Sequence, residues 1–155
     1  MAWRRVGLRS VALVLWGAWV GGFMFYGAIV VPVLHDELDS LAAGGITRRV
    51  TDGLNAVGAI ALAAWGALLF VEGRPGQRVV GRLRLVAYGA SAGLLTGLIA
   101  MHAVMDRRLD TTGLDEFYPW HRAYLIVSTA QWLVNVVLLA LSVAAWSMPT
   151  RPVRD

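Results

Sequence analysis

The chain has no cysteine and no lysine, and only 15% of its residues are charged. Without cysteine there can be no disulfide, thiolate metal site or thiol redox couple. Without lysine there is no Walker-type phosphate loop, and no serine-hydrolase nucleophile elbow is expected. The few charges are clustered, with long charge-free stretches between them. What fills those stretches is apolar: 57% of residues are hydrophobic and the mean hydropathy is +0.60. So little polar surface cannot coat a water-soluble core, and the expected solvent is a lipid bilayer.

At 155 residues the chain is the length of one domain. Crossing roughly 30 Å of hydrocarbon takes about 20 apolar residues in a helix. Four segments qualify, near 10–34, 52–71, 84–105 and 122–146. A segment in lipid must satisfy its own backbone hydrogen bonds, so helices follow, and the runs lack the alternation of a β-barrel. The expected fold is all-α: a polytopic four-helix transmembrane bundle in a single membrane domain, 1–155. Arg4, Arg5 and Arg9 precede the first apolar run as in a signal peptide, but the run is too long and lacks a small-residue cleavage site. It reads as a retained first helix.

Charge sets the expected orientation. Four spans place both termini on one side, with Arg4, Arg5, Arg9, Arg74, Arg78, Arg82, Arg84, Arg151 and Arg154. Only Glu72 and Asp155 oppose them there. The other side holds five arginines (Arg48, Arg49, Arg107, Arg108 and Arg122) against eight acids. The positive-inside rule therefore puts the termini in the cytoplasm, in a bacterial inner membrane. Arginines at the ends of apolar spans contact headgroups, and no basic face points to nucleic acid. Pro75-Gly76 marks a tight turn between helices two and three. The outer loops are longer. Leu38–Val50, around Gly44-Gly45, is expected to lie along the interface as a broken helix. Met105–Trp120 carries Gly113, with Pro119 in the first turn of helix four. Tyr118 and Trp120 fall at the outer headgroup level, Trp3 and Trp146 at the inner one.

Two packing signals stand out. Gly89, Gly93 and Gly97 repeat every four residues on helix three, with Gly17 and Gly21 on helix one. Such ridges let backbones approach closely, within the fold or in a homodimer. On helix four, His121, Ser128, Asn135 and Ser142 recur every seven residues, with Tyr124 and Gln131 on adjoining positions. This repeat holds one face of a left-handed bundle, and polar groups are expected to face inward. Asn55 on helix two is an expected hydrogen-bonding partner. The stripe reads as interhelical glue, or as a lining for water or a small ligand.

The three histidines, His35, His102 and His121, fall on the acidic side, and Asp106 shares a helical face with His102. Imidazole with carboxylate suits a divalent metal, and paired histidines suit haem. The competing reading is a polar cap of interfacial side chains. Ser128 and His121 are about 10 Å apart along a helix, too far for proton transfer. All the acids sit near span ends, which argues against a proton-coupled carrier.

The run Trp19-Val20-Gly21-Gly22-Phe23-Met24-Phe25, followed by Val30-Val31-Pro32-Val33-Leu34, resembles the first helix of a bacterial family of unknown function. That family comprises small four-helix membrane proteins, with eukaryotic relatives named only as transmembrane proteins. The resemblance covers about the first half of the chain and rests on the Gly-Gly pair and the Val-Pro exit. Members commonly continue with Phe-Arg, where this chain has His35-Asp36. The resemblance implies a membrane fold and carries no catalytic residues. The leading expectation is a non-enzymatic accessory or assembly subunit, or a small membrane-embedded binding protein. It would meet lipid and either a homo-oligomeric copy or another membrane subunit. The alternatives are a metal- or haem-binding protein using His35, His102, Asp106 and His121, and a small oligomeric transporter.

Overall fold

The computed structural model describes residues 2–73, 78–112 and 114–147, with side chains for 3–39, 42–73, 79–108 and 119–147. The Pro75-Gly76 turn, Gly113, Arg74, Arg151, Arg154 and the side chains of Arg78, Asp110, Asp115, Glu116 and Tyr118 lie outside the described residues. All elements are helical: α1 (Ala2–Phe25), a π-helical turn (Tyr26–Val30), α2 (Val31–Glu37), α3 (Ser40–Glu72), α4 (Arg78–Thr112) and α5 (Leu114–Ser147). Four stretches, Trp3–Glu37, Ala42–Glu72, Val79–Arg108 and Pro119–Ser147, are long and apolar enough to cross a membrane.

The helices run past their expected ends, and for local reasons. Leu38 is extended (φ −127°, ψ 154°) and breaks the first span. Asp39 then caps α3, its Oδ1 accepting from the Ala42 N–H at 2.9 Å. With that cap in place the helix runs unbroken through Gly44-Gly45, correcting the expected interfacial loop. α3 spans about 50 Å, well beyond a hydrocarbon core. It ends where Gly73 takes φ +67°, the left-handed C-cap open to glycine. The second outer loop is also mostly helix. Pro119 stands inside α5 rather than in its first turn, where it removes one helical hydrogen bond.

The π turn has a cause in Pro32. The Val31 N–H bonds back to the Tyr26 carbonyl, one residue further than in an α-helix. Pro32 has no N–H to restore the regular register. The first span therefore changes pitch near one end and continues as α2.

The chain forms two compact units, Met1–Val71 and Glu72–Asp155. In the first, α1 meets α3 where Trp19 lies over Gly58, leaving no room for a Cβ there. A Cβ at Gly22 would sit 3.3 Å from Leu54 Cδ2. On α3, Ala61, Leu62, Trp65 and Leu68 form a buried stripe at helical spacing. The second unit is the close α4–α5 pair described next. In both units large apolar residues such as Val14, Ile60, Phe70, Val86 and Ile126 are exposed.

Candidate functional site

α4 and α5 meet along a seam that repeats every seven residues on both sides. On α4 the buried positions include Arg84, Ser91, Leu98 and Met105; on α5 they include Tyr124, Ser128, Gln131, Asn135, Leu138 and Ser142. Alternating steps of four and three on α5 keep one face toward its partner, as in left-handed packing. Pairing is antiparallel, with Arg84 beside Ser142, Ser91 beside Asn135 and His102 beside Tyr124.

The deepest polar cluster is Ser91, Gln131 and Asn135, which are 0%, 4% and 1% exposed. Gln131 Nε2 donates to Ser91 Oγ at 3.1 Å, and Ser91 Oγ donates to Asn135 Oδ1 at 2.8 Å. One hydroxyl thus joins two amides by accepting from one and donating to the other. Interhelical bonds of this kind contribute about 0.6 kcal/mol each in an apolar medium. Gln131 Oε1 is buried with no hydrogen-bond partner among the described residues. Leaving a carbonyl unsatisfied costs about 1–3 kcal/mol, more than one such bond returns.

About 10 Å along the seam, Arg84 is only 2% exposed. Its Nε donates to Ser142 Oγ at 3.1 Å, and its Nη2 meets Glu72 Oε2 at 2.9 Å. The Glu72 side chain is 8% exposed. Ser142 passes its own proton to the Leu138 carbonyl, one turn back, at 2.7 Å. This corrects the expectation that Arg84 contacts headgroups: it forms a buried ion pair with Glu72, which is enclosed although it stands at a helix end. Arg84 reads as a headgroup contact because it borders a span. The available signal was its seven-residue spacing from Ser91 on the same face.

At the far end, His102 Nδ1 lies 3.8 Å from Asp106 Oδ2, an ion-pair distance longer than a hydrogen bond. The His102 ring is tilted 50° to Tyr124 with centroids 6.1 Å apart, beside an apolar cluster of Leu98, Met105 and Trp120. Arg108 stacks over Trp120 at 5.2 Å, a cation–π contact. Of the four histidine and aspartate candidates, His102 and Asp106 are brought together. His121 is half-buried near the start of α5, and His35 is exposed on α2 in the other unit. Among the described residues no three His, Asp or Glu side chains are grouped to hold a metal ion. Asn55 is half-buried on α3; the hydrogen-bonding partner of the Asn135 carbonyl oxygen is Ser91.

The hydroxyls of the seam are committed. Ser128 donates to the Tyr124 carbonyl and Ser142 to Leu138. Ser91 stands in the run Gly89-Ala90-Ser91-Ala92-Gly93. That spacing carries the G-x-S-x-G pattern of a nucleophile elbow. An elbow needs a strand-to-helix turn, whereas these five residues lie within α4. Ser91 gives its proton to a neutral amide, and His102 lies about 16 Å further along the same helix. The arrangement holds and orients polar groups; it does not activate a nucleophile.

The glycine ridge occupies the other side of α4. At 100° per residue, Gly89, Gly93 and Gly97 fall roughly opposite the face that carries Arg84, Ser91 and Leu98. A Cβ at any of the three would have nothing within 4 Å. The expected close packing therefore occurs at Gly58 instead. No family model, curated protein or solved structure matches the chain.

Proposed function

We propose that this is a multi-pass membrane protein acting as a non-enzymatic accessory or assembly subunit that binds through its membrane helices. The observation that carries the reading is the two-faced character of α4. One face is filled by α5 through a polar seam, and the opposite face is a three-glycine ridge with open space over each Cα. Small-residue ridges are how helices approach one another in lipid, where apolar burial supplies little drive.

Membrane residence is supported by the outward apolar residues. Each large side chain left in water would forgo about 1.5–3 kcal/mol of burial, a cost that lipid removes. The arginine bias supports a cytoplasmic position for the termini and the α3–α4 connection in an inner membrane.

Crosslinking in native membranes tests the proposal. A photoreactive group at Gly93 is expected to trap a distinct membrane polypeptide, with yield falling at least several-fold in Gly89→Leu. Recovery of monomer or self-crosslinks alone sinks the accessory-subunit reading.

A further inference from the structure

The two ends of the Gln131 amide are treated unequally. Nε2 is engaged by Ser91, whereas Oε1 is enclosed without a partner among the described residues. Turning the amide over would break the Gln131–Ser91 bond as it stands. With its carbonyl toward Ser91, the single Ser91 proton would serve Gln131 or Asn135 but not both. The NH2 group would then occupy the unpaired position. One polar end of a residue that is 96% buried thus lacks a partner among the described residues.

No neighbouring side chain among the described residues donates to Gln131 Oε1. One turn back on α5, Ser128 is committed to the Tyr124 carbonyl, and Val127 and Val134 are apolar. What the position takes is a small donor with two protons. Asn135 Oδ1 accepts one bond and keeps a second lone pair, as does Ser91 Oγ once Gln131 has donated to it. An acceptor at Gln131 beside a further acceptor one turn away is the environment of an internal water. Proteins hold such waters at about one per 27 residues, each making two to four bonds.

We infer that the Ser91–Gln131–Asn135 cluster is a hydration site that binds one water molecule, donating to Gln131 Oε1 and to Asn135 or Ser91. The site lies inside the α4–α5 pair and is independent of any partner on the glycine ridge. It makes the seam a place where a protic molecule is held within an apolar hairpin.

The test uses the full chain in lipid nanodiscs with 15N in its glutamine side chains. The sequence has two glutamines, Gln77 and Gln131, so Gln77→Asn leaves a single amide pair to follow. Direct cross-relaxation between the Gln131 amide protons and the water resonance is expected. Its absence, with the pair still at a folded chemical shift, overturns the proposal. Thermal unfolding gives a second reading from Gln131→Met, which keeps the volume and removes both polar ends. A lower midpoint supports a water-satisfied amide, because two sets of bonds are lost. A higher midpoint overturns it, because the substitution would then have relieved a dry, unsatisfied carbonyl.

Discussion

Arg84 and Glu72 form a buried ion pair in the α4–α5 unit. Enclosing a guanidinium and a carboxylate is tolerable while each has the other and Arg84 also has Ser142. Removing one partner strands the other. Arg84→Met alone is expected to cost about 3–5 kcal/mol, whereas Arg84→Met with Glu72→Leu should regain most of that loss. Unfolding in mild detergent, followed through the seven tryptophans, measures the cycle. Strictly additive losses would show that the pair is not coupled. The residues of this pair are hard to recognise in sequence. An arginine or glutamate bordering an apolar span reads by default as a headgroup contact, and only the helix facing it decides otherwise. Ser128, Asn135 and Ser142 are easier, because their repeat is a property of one helix.

Among the elements, α3 and the first span show how local chemistry overrides a hydropathy boundary. Apolar runs locate a span, but a cap decides where the helix starts. Asp39 begins α3 a dozen residues ahead of the apolar run. Pro32 similarly imposes the π turn at Tyr26–Val30 without ending the helix. The contact between α1 and α3 turns on Gly58, where Trp19 leaves no space for a Cβ. Gly58→Ala is expected to destabilise by about 1–3 kcal/mol through overpacking, while Gly93→Ala should change the stability of the isolated protein little. Equal thermal midpoints for the two variants would show that the Trp19–Gly58 approach is unimportant. Gly58 does not stand out in sequence, because it belongs to no repeat. The regular ridges at 89, 93 and 97 invite the packing role that this irregular glycine holds.

For the whole molecule the open quantity is sidedness, and the absence of cysteine makes it measurable without background. Gln77→Cys, in the α3–α4 connection, is expected to react with a membrane-impermeant thiol reagent only from the cytoplasmic face. Asp36→Cys, at the end of α2, should react only from the opposite face. Labelling of both from one side would refute the proposed orientation. The sequence alone determined that this chain makes helices, that four of them are long and apolar enough for a membrane, and that α5 carries one repeating polar face. These are periodicities and lengths, which belong to single segments and are written in residue order. Only the tertiary structure decided that Ser91 meets Asn135 and that Arg84 is enclosed with Glu72. It also decided that Gly58 is filled while the glycine ridge stays open. Those outcomes depend on the register and facing of one helix against another, and a few ångströms of sliding would change every partner.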